Sequence, residues 1–255
     1  MKNQPSSTSN KIRLDDLLVR KQFAPSKSQA QHLIHSGNVS INQTILSKPG
    51  KLTPINSIIS ISAPLLFVSR AGEKLHAYIQ EFSPNLKNKT ALDIGASTGG
   101  FTDCLLQNNV TSVTCIDVGQ NQLHPQLIKD PRVSNFEKIN ARNLNFTTLP
   151  YPSYDIITID ISFISLTKVL PTIWPGLNKN GLLIALVKPQ FEATKEEMNH
   201  CQGIIKNPLI QIRIFKEIKT FITEQLPQVS IQAEMDSPIL GADGNKEFIL
   251  ALTKS

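Results

Sequence analysis

Cysteine is scarce in this chain. Three residues, Cys104, Cys115 and Cys201, stand among 255, and no two of them form a C-x-x-C pair. An odd and sparse count argues against a disulfide framework and against a zinc site, so we expect no metal. The same count is typical of proteins in a reducing compartment, and we expect a cytoplasmic protein.

Long apolar runs are also missing. The longest strictly apolar run, residues 181–187, has seven residues. A membrane-spanning helix needs about 20, so we expect no membrane partner. Residues 1–10 are polar and lack the apolar stretch of a secretory signal, and we interpret them as a disordered tail.

Positive charge is in excess, and the whole excess lies at one end of the chain. Residues 1–62 contain eight lysines and arginines against two acids, a balance of +6, whereas the remaining residues contain 18 of each sign. A small basic module in front of a neutral body suggests a polyanion reader attached to a second function. A plainly solvated basic surface is the alternative.

The basic segment has its own pattern of secondary structure. Apolar residues at helical spacing predict a helix over 12–19, and a second helix is predicted over 27–36, ended by Gly37. Short alternating segments at 39–42 and 57–62 predict two strands. Together these elements predict a small α+β domain.

A glycine-rich turn follows the first strong strand pattern of the larger segment. Residues 91–96, A-L-D-I-G-A, are typical of a buried strand that runs into a turn, and S-T-G-G-F-T then opens a helix. This order is that of a nucleotide-type cofactor site, where glycines let the backbone approach the ligand. The spacing G-x-x-x-G-G disfavours a dinucleotide. The residues assigned here to cofactor binding are Asp93, Gly95, Ala96, Ser97, Gly99, Gly100 and Phe101.

A second acid strengthens the cofactor interpretation. Asp117 ends the next strand pattern, 113–117. A carboxylate there can accept hydrogen bonds from both hydroxyls of a ribose. Asp160, which ends the strand pattern 154–160, is assigned to the same cofactor site.

Strand and helix patterns alternate through the rest of the chain. The apolar run 181–187 is expected of a parallel strand covered on both faces, and residues 231–239 and 246–253 predict a terminal hairpin. Helical patterns occur at 99–109, 121–129, 165–174 and 208–225. We predict an α/β fold with a doubly wound, Rossmann-like sheet, whose functional groups gather at the carboxyl ends of the strands.

Two lysines and two carboxylates are predicted to meet at that edge. Asp160 and Lys188 end neighbouring strands, and Glu247 stands near the start of the last strand, which runs antiparallel in a hairpin. Lys74 opens a helix in the segment S-R-A-G-E-K-L. Such a cluster beside a cofactor site is unusual for a surface; two structural salt bridges are the alternative.

Two segments of the basic module, R-L-D-D-L-L-V and S-K-S-Q-A-Q-H-L-I-H-S-G-N-V-S-I-N, carry a family pattern. They resemble the small RNA-binding domain named after ribosomal protein S-four. In that family two helices present basic side chains to an RNA backbone beside a short hairpin. The resemblance implies RNA contacts by Arg13, Arg20, Lys21, Lys27 and Gln31.

Further motifs lie in the larger segment. D-I-G-A-S-T-G-G-F resembles motif I of class I S-adenosylmethionine-dependent methyltransferases. S-R-A-G-E-K-L, D-I-S-F, V-K-P-Q-F-E and G-N-K-E-F resemble the TlyA family, often labelled hemolysin A. That family belongs to the FtsJ-like RNA 2′-O-methyltransferases with a K-D-K-E catalytic tetrad. The matching tetrad here is Lys74, Asp160, Lys188 and Glu247.

The resemblance implies an organisation and a reaction. The implied parts are the tail 1–10, an S-four-type RNA-binding domain 11–62, a linker 63–68 and a class I methyltransferase domain 69–255. The implied reaction moves a methyl group from S-adenosylmethionine to the 2′-hydroxyl of a cytidine in ribosomal RNA, free or in a ribosomal subunit. The expected enzyme is a monomer or weak dimer. The chain ends eight residues after Glu247, like the shorter family form, which is associated with 23S rRNA only.

These residue types suit methyl transfer to a ribose. A 2′-hydroxyl is a weak nucleophile, so the enzyme must align the attack and manage one proton. Lys188 is the candidate to assist deprotonation, because a partly desolvated lysine beside a second cation releases its proton more easily than one in water. Asp160 would orient Lys188, while Lys74 and Glu247 would hold the ribose. D-I-S-F differs from the N/D-P-P-Y/F loop of enzymes that methylate base nitrogens.

Three other functions are compatible with parts of the pattern. A pseudouridine synthase with the same front domain would lack the methyl-donor loop that D-I-G-A indicates. A membrane-lytic protein, as the hemolysin label suggests, would need a long amphipathic apolar segment. An RNA-binding protein with a hemolysin-like label and no catalytic role would not need the intact tetrad.

Overall fold

The computed structural model describes residues 10–35, 37–62, 65–241 and 244–255. The chain forms two compact units that separate between Arg70 and Ala71; we call them the N-terminal unit and the C-terminal unit. Apart from Asn10, the predicted tail lies outside the described residues, as do two residues of the predicted linker.

The N-terminal unit combines short strands with two helices. Its elements are β1 (Lys11–Arg13), α1 (Leu14–Arg20), α2 (Lys27–His35), β2 (Val39–Ile41), β3 (Thr44–Ile45), β4 (Leu52–Pro54) and β5 (Ile59–Ile61). Strands β3, β2 and β5 form one antiparallel sheet, and β1 pairs with β4. The two predicted strands are confirmed as β2 and β5, both shorter than predicted. They pair with each other, and Val39 lies opposite Ile61.

The predicted helix over 12–19 is wrong at its start. Residues 11–13 form β1, in which Ile12 lies opposite Thr53, and α1 begins at Leu14. Local helical spacing could not anticipate this pairing, because β4 was itself not predicted. From Leu14 onward the spacing is helical, and it buries Leu14 and Leu18 in a core shared with α2.

Gly37 ends α2 as predicted. Its φ is +72°, and the backbone N–H of Asn38 donates to the carbonyl oxygen of Leu33 at 3.1 Å. A left-handed residue after a helix lets the chain turn back and satisfy the last carbonyls, and glycine adopts that conformation without a Cβ penalty.

The C-terminal unit alternates strands and helices. Its elements are α3 (Ala71–Phe82), β6 (Thr90–Ile94), α4 (Gly100–Gln107), β7 (Ser112–Ile116), α5 (Pro125–Ile128), β8 (Val133–Phe136), β9 (Tyr154–Ile159), α6 (Leu170–Ile173), β10 (Leu177–Val187), α7 (Pro189–Glu192), α8 (Lys195–His200), α9 (Pro208–Gln225), β11 (Val229–Asp236) and β12 (Phe248–Lys254).

One seven-stranded sheet organises this unit. Its order is β11-β12-β10-β9-β6-β7-β8. Strands β10, β9, β6, β7 and β8 run parallel, and β12 is antiparallel to both β10 and β11. The strand order reverses at β6, which lies between β7 and β9, and ligands of such sheets bind at this reversal, outside the carboxyl ends of the strands. The predicted doubly wound α/β fold is confirmed.

Burial of the central strands explains their apolar sequences. Residues 183–187 of β10 are all buried between two covered faces, as are most residues of β6 and β9. Strand β12 pairs with β10 from Leu182 opposite Thr253 to Val187 opposite Phe248. On its other edge β12 pairs antiparallel with β11, from Val229 opposite Lys254 to Asp236 opposite Phe248. The predicted terminal hairpin is therefore confirmed; two residues of its turn lie outside the described part of the chain.

The helix predictions differ in accuracy. Helix α9 has the predicted bounds, with the Asn207 side chain accepting from the N–H of Leu209 and Pro208 at its first position. The predicted helix 121–129 is wrong in extent, because α5 starts only at Pro125. A residue that precedes proline is pushed out of the helical region, and His124 has an extended ψ of 136°.

Among the described residues, no helix is both long and apolar enough to cross a membrane.

Candidate active site

The turn after β6 is built from backbone that glycine favours. The φ angles of Gly95, Ser97 and Gly99 are +81°, +48° and +93°. A Cβ at Gly95 would lie 2.6 Å from the carbonyl oxygen of Asp160, and a Cβ at Gly99 would lie 2.2 Å from a methyl group of Leu127. The glycines therefore allow the turn to pass close to the end of β9 and to α5.

A cavity opens between this turn and the carboxyl ends of β7 and β9. Its volume is about 330 Å³, within the range of small-molecule sites. Four of the predicted cofactor residues line it: Gly95, Ser97, Asp117 and Asp160. The other predicted cofactor residues, Asp93, Ala96, Gly99, Gly100 and Phe101, do not line it, and all five are buried.

Asp117 is oriented by the backbone around it. One carboxylate oxygen accepts the N–H of Ser97 at 2.7 Å, and the other accepts the N–H of Gly119 at 2.7 Å. Each carboxylate oxygen can accept a further hydrogen bond. The carboxylate in the cavity wall thus has capacity for two hydroxyl donors.

Asp93 lies beneath the turn. Its side chain is fully buried and accepts hydrogen bonds from the hydroxyls of Thr102 at 2.7 Å and Thr158 at 2.8 Å. Burial raises the pKa of Asp93 to about 6, although the two hydroxyls favour the ionised form. Asp93 ties α4 to β6 and β9, so it supports the turn from below.

Lys188 and Asp160 form an ion pair at the rim of the cavity. Nζ of Lys188 lies 2.5 Å from Oδ1 of Asp160 and donates to Oγ of Ser162 at 3.1 Å. Lys188 is 8% exposed, and the ring of Phe191 lies 5.9 Å from its ammonium. A buried ammonium is thereby paired with a carboxylate that also lines the cavity.

Lys74 and Glu247 form a second buried ion pair. Nζ of Lys74 on α3 donates to Oε2 of Glu247 at 2.5 Å, and both side chains are buried. Glu247 precedes β12 and lies against Gly241, where a Cβ would stand 2.5 Å from its other carboxylate oxygen. Asn245 fixes the same segment, since its side chain accepts from the N–H of Ile205 at 2.9 Å.

The two pairs lie at one edge of the sheet. Val187 and Phe248 are the last partners of the β10–β12 register. Lys188 follows the first of these residues and Glu247 precedes the second, so the next opposed positions on the two strands are Lys188 and Glu247. The structure therefore brings the four predicted tetrad positions together as two adjacent buried pairs, beside the cavity that Asp160 lines.

Several cavity residues were not predicted. They come from the loops after β7, β8 and β9: Val118, Asn140, Ala141 and Phe163. Phe163 is 91% exposed, has a φ of +66° and lies 5.1 Å from the ring of Phe191. The D-I-S-F motif had drawn attention to this loop. The aromatic residue at the end of that motif is the feature from which Phe163 could have been predicted as a cavity residue.

The predicted RNA contacts of the N-terminal unit fall into two groups. Arg13 and Gln31 donate to the buried carboxylate of Asp15 at 2.7 and 2.9 Å, and Lys27 pairs with Asp16 at 2.8 Å. Burial alone would raise the pKa of Asp15, but the hydrogen bonds from Arg13 and Gln31 lower it to about 2. This first group is thus held around an acidic centre.

The second group lies at the other end of α1. Arg20 is exposed, and Lys21 donates to the backbone carbonyl of Ser57 at 2.9 Å. The two groups are separated by the length of α1, roughly 10 Å.

In the described part of the chain, no three His, Cys, Asp or Glu side chains are close enough to hold a metal ion.

Two family models match the chain. The model of FtsJ-like methyltransferases matches residues 67–254, and that of the S4 domain matches residues 12–53.

The relatives cover nearly the whole chain. A protein of Bacillus subtilis, provisionally named the rRNA methyltransferase YqxC, is 39% identical over 96% of this chain and 86% of its own length. The protein of Mycobacterium tuberculosis named 16S/23S rRNA (cytidine-2′-O)-methyltransferase TlyA is 34% identical over 95% of this chain and 90% of its own length.

A solved structure covers the same extent. The structure of a protein from Streptococcus thermophilus named as a hemolysin has a TM-score of 0.75 and 33% identity, and covers 97% of this chain and 90% of its own. The chain belongs to the TlyA family of FtsJ-like methyltransferases, with an S4 domain in front of the methyltransferase domain.

Proposed function

We propose that this protein transfers a methyl group from S-adenosylmethionine to the 2′-hydroxyl of a cytidine in ribosomal RNA, with 23S rRNA as the expected target. The observation that carries the proposal is the buried ammonium of Lys188, paired with a carboxylate that lines the cavity. The name of the Mycobacterium tuberculosis relative, which describes this activity, supports it.

The cavity wall suits S-adenosylmethionine, which supplies a methyl group activated as a sulfonium. The carboxylate of Asp117 has capacity for the two ribose hydroxyls of such a ligand. Because Gly95 and Gly99 have no Cβ, the turn can lie close to Asp160 at the end of β9 and to Leu127 of α5. We assign cofactor contact to Gly95, Ser97, Asp117 and Asp160. Asp93, Ala96, Gly99, Gly100 and Phe101 are proposed to shape the turn from behind.

Lys188 has the central chemical role in this proposal. Nζ of Lys188, as the neutral amine, would accept the proton of the 2′-hydroxyl as that oxygen takes up the methyl group that bound S-adenosylmethionine would supply. Asp160 then stabilises the resulting ammonium through the ion pair. Alignment of the hydroxyl with the methyl group supplies much of the rate enhancement of such a reaction.

The second pair, Lys74 and Glu247, is proposed to hold the target ribose. Glu247 lies at the same edge as Lys188, because the end of β10 lies opposite the start of β12. An exposed ring such as Phe163 offers a face on which an unpaired base can stack. A 2′-hydroxyl distinguishes RNA from DNA, which agrees with an S4 domain in the same chain.

RNA capture is proposed for the N-terminal unit. Arg13, Arg20, Lys21, Lys27 and Gln31 are the proposed contacts, in a domain over 11–62 that a linker, 63–68, joins to the catalytic domain over 69–255. The excess of positive charge within residues 1–62 supports this division. We further propose a cytoplasmic enzyme that works as a monomer or weak dimer.

Substitution of Lys188 tests the proton-accepting role. Lys188→Ala is expected to lower single-turnover methylation of rRNA by roughly 10²–10⁴-fold, the usual worth of general-base assistance. Lys188→Arg is expected to be nearly as slow, because a guanidinium stays protonated and cannot accept a proton. Cofactor affinity, measured by calorimetry, should survive in both variants.

Lys179→Ala is the matched control, since Lys179 is exposed and lies near the other end of the same strand. It should methylate at the wild-type rate. If Lys188 served only as a salt-bridge partner, the arginine variant would be active and the alanine variant would mainly lose thermal stability. An active Lys188→Arg enzyme therefore contradicts the proposed role.

A further inference from the structure

We infer that Ser162 is a positioning residue for Lys188, an inference that rests on the function proposed above. Ser162 follows β9 by three residues and lines the cavity beside Asp160. Its hydroxyl oxygen accepts a hydrogen bond from Nζ of Lys188 at 3.1 Å. The ammonium thus lies close to two oxygens from one loop, Oδ1 of Asp160 at 2.5 Å and Oγ of Ser162 at 3.1 Å.

Two acceptors define the orientation of an amine in a way that one cannot. A protonated lysine has three N–H donors in a tetrahedral arrangement, and the neutral amine has two N–H bonds and one lone pair. When Asp160 and Ser162 accept both N–H bonds, the lone pair is left in the third direction. That lone pair must receive the proton of the 2′-hydroxyl. Asp160 and Ser162 together therefore set the direction in which the lone pair of Lys188 points.

Loss of the hydroxyl leaves a single anchor. The amine can then rotate about its Cε–Nζ bond with its lone pair in more than one direction, and only one of these faces the substrate. The ring of Phe191, 5.9 Å from Nζ, attracts the ammonium but offers no directional acceptor. Ser162 therefore supplies direction, whereas Asp160 supplies most of the charge stabilisation.

The expected signature of Ser162→Ala is a lower maximal rate with unchanged affinity for cofactor and rRNA, because the hydroxyl directs Nζ of Lys188 and holds neither ligand. A residue that merely supported the fold would lose thermal stability instead, and threonine would restore the rate no better than valine.

The test uses single-turnover methylation of rRNA by the full-length protein at saturating cofactor, with thermal stability and the affinities for cofactor and rRNA measured for each variant. Ser162→Ala is expected to lower the maximal rate about tenfold, the effect of losing one hydrogen bond to a charged group. Ser162→Thr and Ser162→Val have nearly the same shape and differ in the hydroxyl, so Thr should be close to wild type and Val should resemble Ala. Ser230→Ala, at an exposed position of β11, is the control and should match wild type.

The outcomes separate this inference from the proposed function. Wild-type rates in Ser162→Ala, or equal rates in the Thr and Val variants, overturn the positioning role while wild-type methylation upholds the enzyme. A weaker cofactor affinity with an unchanged rate also overturns it, because Ser162 would then contact the cofactor instead. Absence of methylation by the wild-type protein overturns the proposed function itself, and this inference with it.

Discussion

At the scale of single residues, substitutions within the two buried ion pairs are expected to lower the stability of the fold. Taking an ammonium and a carboxylate out of water costs several kcal/mol per ion, and only a close partner offsets this cost. Removal of one member leaves an unpaired buried charge. Stability must therefore be measured alongside activity for every variant of Lys74, Asp160, Lys188 or Glu247.

Asp93 predicts a pH dependence of stability. Its pKa is about 6 in the folded protein because burial disfavours the charged form, whereas the ordinary value is 3.8. A raised carboxyl pKa lowers the free energy of unfolding as pH rises from about 4 to 6, by on the order of 3 kcal/mol. Urea unfolding at pH 4, 5, 6 and 7 should show Asp93→Asn gaining stability relative to wild type across this interval. Parallel pH curves for the two proteins would contradict the burial argument.

At the scale of elements, the sequence predicted the parts whose own pattern decides their structure. The strand that leads into Gly95 and the long helix α9 have strong local sequence patterns. The predicted ends of the strands correctly indicated that Asp160, Lys188 and Glu247 lie at one edge of the sheet. The predicted start of α1 was wrong because residues 11–13 pair with β4, and this pairing overrides the local helical spacing. Loop residues such as Phe163 were missed because tertiary packing, rather than a period in the sequence, positions a loop.

The turn after β6 gives a prediction at the same scale. Gly95→Ala introduces a Cβ 2.6 Å from the carbonyl oxygen of Asp160 at a φ of +81°, whereas Gly203→Ala has a similar φ of +86° and no atom within 4 Å. Both variants carry the backbone cost of a positive φ, but only the first displaces the cavity wall. Calorimetry should show at least a tenfold loss of cofactor affinity for Gly95→Ala and wild-type affinity for Gly203→Ala. Equal affinities would mean that the turn does not shape the cofactor site.

At the scale of the whole molecule, charge and chemistry are divided between the two units. The +6 balance of residues 1–62 contrasts with the neutral remainder, while both buried ion pairs lie in the C-terminal unit. Recognition of RNA and the handling of its ribose are thus assigned to different parts of the chain.

Deletion of residues 1–62 tests this division. The truncated protein should bind rRNA more weakly and with a shallower dependence on salt, because fewer phosphate contacts release fewer counterions. Cofactor affinity should remain at the wild-type value. If the truncated protein bound rRNA with the same affinity and the same salt slope, the RNA contacts would have to lie in the C-terminal unit.

The most direct test of the central claim is methyl transfer itself. The protein is incubated with tritium-labelled S-adenosylmethionine and with separated small and large ribosomal subunits, and the labelled nucleotide is mapped by alkaline hydrolysis, since a 2′-O-methyl group protects the adjoining phosphodiester bond. We predict label on the ribose of a cytidine in the large-subunit rRNA with the wild-type protein, and labelling that is slower by roughly 10²-fold or more with Lys188→Ala. Label on a base nitrogen, or no label on any rRNA, would contradict the account.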